Sequence, residues 1–257
     1  MITRRITFFV DDEGLAAWRL NRLKTLAGYF RSVTIFCNLS QRKQASVEHP
    51  MRMMSLSIKP GDLCQLLIEG SDAELASLVL TVFIDEHAIL LSGGKKSAPF
   101  SPSEHVNLPF PTCIHRIQNT TNDKHSLLAE FALAVSLHES ATQESLFNAL
   151  YKREGVSSTC MGNGIALPHI LSPEVSNVHL LICTTQSPLD WGSQRGDVSR
   201  VIGLMLPTPP QREQIVAFSG FSQQLLDEHF CAYLTENQDI DVIETIILHA
   251  LNTPTSL

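Results

Sequence analysis

Residues 158–169 read STCMGNGIALPH, and this stretch decides how the second half of the chain is expected to fold. Gly162 and Gly164 flank Asn163, which is typical of a tight turn because glycine adopts positive φ without steric cost. A short apolar run follows, and Pro168 then restricts the backbone immediately before His169. The stretch therefore predicts a loop that holds one imidazole in a fixed position.

The same stretch carries groups that suit a phosphoryl group. Ser158 and Thr159 supply hydroxyl donors, and a turn such as Gly162–Gly164 can direct several backbone N–H groups at an anion. A neutral imidazole is a nucleophile near neutral pH, and a hydrogen bond to its other nitrogen can orient it. The pattern favours a phosphohistidine at His169. It leaves open a plain turn before a strand with an ordinary histidine, because short glycine motifs are common.

Helices and strands are predicted on both sides of this loop. Two nearly continuous apolar runs predict strands that are covered on both faces, and four amphipathic stretches predict helices. The predicted strands are 177–185 and 198–207, and the predicted helices are 123–139, 142–155, 212–234 and 239–251. Thr142 is placed to cap the second helix. Together they predict an α/β sandwich.

The first 91 residues read as a separate unit. Their apolar patterns alternate between strand and helix in the order β-α-β-β-α-β-α, which fits a compact α+β domain. Ser71 followed by Glu74 predicts a capping box at the start of the last helix. Residues 92–112 are rich in Gly, Ser and Pro without a sustained period, and they predict a linker before a second domain at 113–257.

Composition excludes several classes of function. The formal net charge is −7, and no basic stripe suits a nucleic acid. No apolar run approaches the roughly 18–20 residues that a membrane-spanning helix needs, and the N-terminus lacks the pattern of a signal peptide. The six cysteines are scattered, which disfavours a zinc site or a redox pair and favours reduced thiols in the cytoplasm.

The stretch from Thr120 to Leu251 resembles a known family, the enzyme IIA domain of the bacterial phosphotransferase system (PTS), of the fructose, mannitol or nitrogen-regulatory type. The motifs that carry the resemblance are LYKREGVSST (150–159), GNGIALPH (162–169), PLDWGSQRGDV (188–198) and LLDEHF (225–230). In that family the histidine of the second motif accepts phosphate from the carrier HPr and passes it to a cysteine of an enzyme IIB.

The resemblance assigns the phosphoryl-accepting role to His169 and places Arg153 where the family keeps an arginine near the active site. A guanidinium there would pair with phosphoryl oxygens. With Ser158, Thr159 and the Gly162–Gly164 backbone, Arg153 would cradle the group. No metal or dissociable cofactor is implied, and the membrane is reached only through the transporter. The implied donor is a phospho-HPr, either separate or part of a fused enzyme I.

One position departs from the family pattern. The family usually has a second histidine on the helix after the next-to-last strand, and Gln214 takes its place here. Glutamine donates and accepts hydrogen bonds but cannot become positively charged. Gln214 is therefore expected to orient the phosphoryl group and to leave a weaker or slower site.

Residues 1–91 are similar to HPr itself, whose open-faced β-sandwich is the fold that the resemblance implies. HPr carries its phosphohistidine at the start of the first helix, where the helix N-terminus helps to bind phosphate. Here Ala16 replaces that histidine, Trp18 holds the arginine position and Arg19 lies one place later. Alanine cannot be phosphorylated, so this half is expected to serve docking or scaffolding.

Three hypotheses follow, and the third is weaker than the other two. The first is a phosphoryl carrier of a sugar phosphotransferase system, and phosphoryl transfer to an enzyme IIB tests it. The second is a regulatory interaction module whose binding is switched by phosphorylation of His169. The weaker hypothesis makes Cys160 a catalytic thiol, although packing is the favoured interpretation of this residue.

Overall fold

The computed structural model describes residues 2–91, 102–118 and 123–252, and it divides into two compact units, Met1–Pro102 and Ser103–Leu257. Within the described ranges, no helix is long and apolar enough to cross a membrane.

The N-terminal unit is built on an antiparallel sheet. Its strands are β1 (Ile2–Phe9), β2 (Val33–Asn38), β3 (Lys43–Ser46), β4 (Leu63–Gly70) and β5 (Ile89–Leu90). Its helices are α1 (Ala17–Ala27), α2 (Pro50–Met54) and α3 (Ala73–Asp85). The strand order is β3-β2-β4-β1-β5, and every pairing is antiparallel. The predicted element order is confirmed, with one short strand added at its end.

Sheet and helices of this unit share one apolar core. Phe8 and Phe36 meet edge to face with their ring centroids 5.9 Å apart. Leu23 from α1 and Leu80 from α3 are fully buried in the same cluster. A sheet with helices packed against it through such a core is the open-faced sandwich that the resemblance implied.

The predicted capping box at Ser71 is wrong. α3 begins one residue later than predicted, with Asp72 at its N-cap and without a side-chain cap. The carboxylate of Asp72 instead accepts hydrogen bonds from the backbone N–H groups of Arg31 and Ser32, at 2.8 and 2.9 Å. The hydroxyl of Ser32 and these two N–H groups favour the ionised form, so the pKa of Asp72 is lowered.

The C-terminal unit contains a mixed sheet between helices. Its strands are β6 (Thr112–Gln118), β7 (Cys160–Gly162), β8 (Ile165–Ala166), β9 (His169–Ser172), β10 (Val178–Leu189) and β11 (Val198–Pro207). Its helices are α4 (Pro102–His105), α5 (Lys124–Ser136), α6 (Gln143–Val156), α7 (Arg212–Gln224), α8 (Glu228–Thr235) and α9 (Ile240–Asn252). Thr142 caps α6 as predicted, since its hydroxyl accepts from the N–H of Ser145.

The central strand of this sheet is β11. It pairs antiparallel with β10 and parallel with β8 and β9. The strand order is β6-β10-β11-β8-β7, with β9 beside β11 and β6 at one edge. Trp191 and Phe131 are fully buried in the core that α5 and α6 form with the sheet. The predicted α/β sandwich is confirmed, and its central sheet is mixed.

The C-terminal unit differs from prediction in several places. The helix predicted over 212–234 is interrupted, because the chain leaves α7 after Gln224 and Asp227 caps α8 by accepting from the N–H of His229. β6 was not predicted, and its first residue, Thr112, already pairs with Val178. The C-terminal end of the proposed linker is therefore folded, while its residues 92–101 lie outside the described residues.

Candidate functional site

His169 is the first residue of β9 and pairs in register with Leu204 of β11. Its ring is half-buried, and Nδ1 lies 2.8 Å from the carbonyl oxygen of Leu167. A carbonyl oxygen only accepts, so Nδ1 carries the proton and Nε2 keeps the lone pair of the neutral imidazole. The N–H of Leu204 donates to the carbonyl of Pro168 at 2.9 Å, which fixes the backbone on which the ring depends.

Arg153 brings a positive charge to that lone pair. It lies in the last turn of α6, and its Nη2 is 3.2 Å from Nε2 of His169. Its Nη1 donates to the carbonyl oxygen of Ser157 at 3.0 Å, which holds the guanidinium across the end of the helix. A group that bonds to Nε2 therefore meets a planar cation whose N–H groups suit the oxygens of a phosphoryl group.

The residue beside Arg153, Glu154, anchors this part of the site, and sequence analysis missed it. Its buried carboxylate accepts from the N–H of Thr159 at 3.2 Å and from the Thr159 hydroxyl at 2.5 Å. Lys124 lies 3.7 Å from the same carboxylate and donates to the carbonyl of Trp191 at 2.8 Å. The adjacent Arg–Glu pair in the helix was the only signal available in the sequence, and it does not show that the carboxylate is buried.

A continuous hydrogen-bonded path joins Glu154 to the imidazole, and we call it the support chain. Glu154 accepts from Thr159, the carbonyl of Thr159 accepts from the N–H of Leu167 at 3.0 Å, and the carbonyl of Leu167 accepts from Nδ1 of His169. The support chain places the orientation of the ring under the control of a buried carboxylate. Glu154 is therefore a positioning residue.

Replacing Glu154 with alanine is expected to lower the free energy of unfolding by about 3 kcal/mol, because it leaves Lys124 and Thr159 without their buried partner. Urea denaturation of the full chain measures this loss. Glu144→Gln is the matched control, since it removes an exposed carboxylate from the first turn of the same helix. A loss for Glu154→Ala no larger than that of the control would show that the support chain contributes nothing to stability.

Two hydroxyl groups, those of Ser158 and Thr159, were predicted to donate to a phosphoryl group, and the structure leaves only one of them available. The hydroxyl of Thr159 is buried and donates to Glu154, so it serves the support chain and not a phosphoryl group. Ser158 is exposed, and its oxygen accepts from the N–H of Cys160 at 3.3 Å. The hydroxyl hydrogen of Ser158 remains available for donation.

The Gly162–Gly164 turn does not reach His169. All three of its residues have positive φ, at 91°, 51° and 76°, and they join the short strands β7 and β8. On β11 the partners of Ile165 and His169 are four residues apart, which corresponds to about 13 Å along a strand. The turn lies still further away, so the expectation that its backbone cradles the phosphoryl group is corrected. It closes a hairpin.

Gln214 also has a structural task. It is buried at the start of α7, and its side-chain oxygen accepts from the N–H of Gln211 at 2.8 Å. Among the described residues, the ring nitrogens of His169 bond to Leu167 and Arg153 and not to Gln214. The residue that replaces the family's second histidine therefore caps a helix with its acceptor atom.

Replacing Gln214 with alanine is expected to cost about 1 kcal/mol of stability, which is typical of a lost helix cap. Gln214→Glu should cost less, because a carboxylate at this position also accepts from the N-cap N–H. Thermal unfolding of the two variants checks the difference. Equal stability of Gln214→Ala and the unmodified chain would contradict the capping role.

At the start of α1 the N-terminal unit presents no nucleophile. Ala16 is the N-cap, and no side chain caps the helix. Arg19 is buried, donates to the carbonyl of Gly14 at 2.7 Å and pairs with Glu13. Trp18 is 59% exposed. The start of α1 therefore combines an alanine at the N-cap with an arginine that holds the preceding loop.

Cys160 does not have the surroundings of a catalytic thiol. It is 3% exposed, it belongs to the core of the C-terminal unit, and its sulfur lies 3.8 Å from the carbonyl oxygen of Gly196. In the part of the chain that the structure describes, no group of three or more His, Cys, Asp or Glu is arranged to hold a metal ion.

An imidazole of fixed tautomer beside a guanidinium, on a mixed sheet between helices, has the groups that can hold a phosphoryl group. A family model described as "Phosphoenolpyruvate-dependent sugar phosphotransferase system, EIIA 2" matches residues 111–250, which is more than half of the chain. The chain belongs to this family.

Individual relatives match parts of the chain. The multiphosphoryl transfer protein of Shigella flexneri is 30% identical over 98 residues, covering 38% of this chain and 12% of that protein. The nitrogen regulatory protein of Bradyrhizobium diazoefficiens is 24% identical over 127 residues, covering 49% of this chain and 83% of that protein. The matches span only 8 to 12% of the length of the first curated relatives.

Among solved structures, the phosphocarrier protein HPr from Bacillus anthracis str. Ames is similar to part of this chain. The sequence identity is 25%, the TM-score is 0.29, and the match covers 32% of this chain and 98% of that protein.

Proposed function

We propose that this chain is a phosphohistidine carrier of a sugar phosphotransferase system. Nε2 of His169 accepts a phosphoryl group from phospho-HPr and passes it to a cysteine of an enzyme IIB of the fructose or mannitol type. The observation that carries the proposal is the pairing of Nε2 with the guanidinium of Arg153 at 3.2 Å, in a ring whose other nitrogen is committed to Leu167. Membership of the EIIA 2 family supports it.

The residues of the site suit each step of the transfer. The lone pair of Nε2 forms the new N–P bond, the P–N bond of the donor phosphohistidine breaks, and the donor imidazole leaves with the electron pair. The proton on Nδ1 of His169 stays in its bond to Leu167. Arg153 neutralises charge on the phosphoryl oxygens, and the exposed hydroxyl of Ser158 can donate to them. Transfer onward reverses these steps with a cysteine thiolate as the nucleophile.

In this proposal the N-terminal unit is a docking or scaffolding domain. Its helix α1 begins at Ala16, so it has no group at that position to carry phosphate itself. The donor is a phospho-HPr, either a separate protein or part of a fusion with enzyme I. The proposal places the chain in the cytoplasm, where it meets the membrane only through a transporter, and it needs no cofactor.

The test is intact mass and peptide mapping after incubation with phosphoenolpyruvate, enzyme I and HPr. The expected result is one acid-labile phosphoryl group on the peptide that contains His169. The same reaction without enzyme I is the control for phosphate that arrives by another route. Absence of the group from that peptide with any available HPr would overturn the carrier function.

A second candidate function is a regulatory module whose binding to a partner is switched by phosphorylation of His169. Two observations favour it: the helix cap made by Gln214 in place of a second histidine, and the missing nucleophile at Ala16. Transfer of phosphate from this chain to an enzyme IIB cysteine separates the two functions. A phosphorylated chain that transfers nothing to enzyme IIB would favour regulation.

A further inference from the structure

A second histidine cluster lies at the β6 edge of the C-terminal sheet. Nε2 of His115, on β6, lies 2.8 Å from Nδ1 of His179, on β10, and Nε2 of His179 lies 2.8 Å from a carboxylate oxygen of Glu139. His179 is completely buried, and the side chain of Glu139 is 5% exposed. His138 is exposed, and its ring centroid lies 5.2 Å from that of His115.

The carboxylate fixes the direction of the hydrogen bonds. Burial favours the neutral acid, but hydrogen bonds from His179, Ser176 and Asn177 outweigh it, and the pKa of Glu139 falls to about 2. An ionised carboxylate only accepts, so Nε2 of His179 is its donor. With Nε2–H of His179 used in this bond, Nδ1 of the same ring accepts from Nε2–H of His115, and the lone pair of His115 is left on Nδ1.

That lone pair makes Nδ1 of His115 a nucleophile. Among the described residues, Nδ1 of His115 has no hydrogen-bond partner, and the residue is only half-buried. Burial and the neighbouring His179 and His138 lower the pKa of His115 to about 4, so the ring is neutral at neutral pH. A nucleophile hydrogen-bonded to a base, which a third group orients, is the arrangement of catalytic triads.

A purely structural role accounts for only part of the cluster. Glu139 already ties the segment after α5 to the loop before β10 by accepting from the N–H groups of Ser176 and Asn177, each at 3.1 Å. This connection does not need His115. The hydrogen-bonded path continues from Glu139 through His179 to the half-buried imidazole of His115 at the sheet edge. This continuation is the feature that indicates a chemical role.

We propose that His115 is a second phosphoryl-accepting histidine of this chain, which reacts at Nδ1 with His179 as the base and Glu139 as the group that orients the base. The donor class is an N-phosphoryl compound, and that class rests on the proposed function. Nδ1 forms the N–P bond and the P–N bond of the donor breaks. The departing nitrogen keeps the electron pair and gains a proton from solvent, while the proton on Nε2 of His115 passes to the His179–Glu139 pair.

The experiment uses the full chain and phosphoramidate, a small N-phosphoryl donor that needs no protein partner. His169→Ala should gain one acid-labile phosphoryl group, which ³¹P NMR assigns to the Nδ1 isomer of phosphohistidine. His169→Ala/His115→Gln should lose it, and glutamine at 115 keeps a donor toward His179, which protects the fold. His169→Ala/His49→Ala, which removes an exposed histidine of the N-terminal unit, is the matched control and should keep it.

A positioning effect gives a further readout. In the His169→Ala background, Glu139→Gln should slow formation of the Nδ1 isomer about 10-fold, because the base loses its ionised partner. An unmodified His169→Ala chain beside a phosphorylated His169 in the original chain would overturn this proposal and leave the proposed function standing. Modification of His115 without modification of His169 would overturn the proposed function and leave this second site standing. Phosphate that persists after His115→Gln also overturns the second site.

Discussion

Replacing His169 with asparagine is expected to abolish the Nε2 isomer of phosphohistidine after incubation with phosphoenolpyruvate, enzyme I and HPr. Asparagine has an amide N–H that can replace Nδ1–H as the donor to Leu167. It has no counterpart of the Nε2 lone pair, so the N–P bond cannot form. The substitution thus removes the nucleophile and preserves the end of the support chain. ³¹P NMR and peptide mapping measure the loss.

The fold of the variant is checked by its thermal unfolding, which should stay close to that of the original chain. His125→Asn is a matched control on α5, because among the described residues its ring packs against Phe147 and Tyr151 and not against His169 or Arg153. It should keep the full yield of the Nε2 isomer. A well-folded His169→Asn chain that still forms this isomer would show that another histidine is the acceptor for HPr.

Replacing Arg153 with glutamine is expected to slow phosphorylation of His169 by about 100-fold, the effect typical of removing one group that stabilises developing charge. The guanidinium lies 3.2 Å from Nε2, so it is beside the phosphoryl oxygens while the N–P bond forms. Arg153→Lys keeps the charge but loses the planar fork, and we expect an intermediate rate. Quenched-flow measurement of phosphate transfer from phospho-HPr gives the rates.

Lys152→Gln is the control for a general loss of positive charge, since this residue is the exposed neighbour of Arg153 on α6. Its effect should shrink as salt is added, because exposed charges are screened. The effect of Arg153→Gln should persist at high salt. Equal rates for the two variants under those conditions would remove Arg153 from the mechanism.

The elements that were predicted best from the sequence are the most deeply buried ones. β11 was predicted with its observed limits, Val198–Pro207, because a strand with neighbours on both sides and both faces covered reads as a continuous apolar run. β6 was missed because it is an edge strand with mixed polar and apolar residues directly after a Pro-rich stretch. The break between α7 and α8 was missed because the apolar period continues through it, and only the cap at Asp227 marks it.

The candidate site was predictable where one motif contained it. His169 and the restriction imposed by Pro168 were visible in the sequence, and the resemblance to the family added Arg153. The turn at Gly162–Gly164 was misjudged because strand register, which the sequence does not give, sets its distance from the imidazole. Thr159 was misjudged for a related reason, since only the structure shows that Glu154 takes its hydroxyl.

Opening of the support chain can be measured as a rate of amide hydrogen exchange. Two of its links are backbone amides, the N–H of Thr159 bonded to Glu154 and the N–H of Leu167 bonded to Thr159. Such amides exchange with solvent only when their bonds open. Their protection factors therefore report how often the imidazole loses its support. Because the two bonds belong to one connected path, the two amides should exchange together as one opening unit.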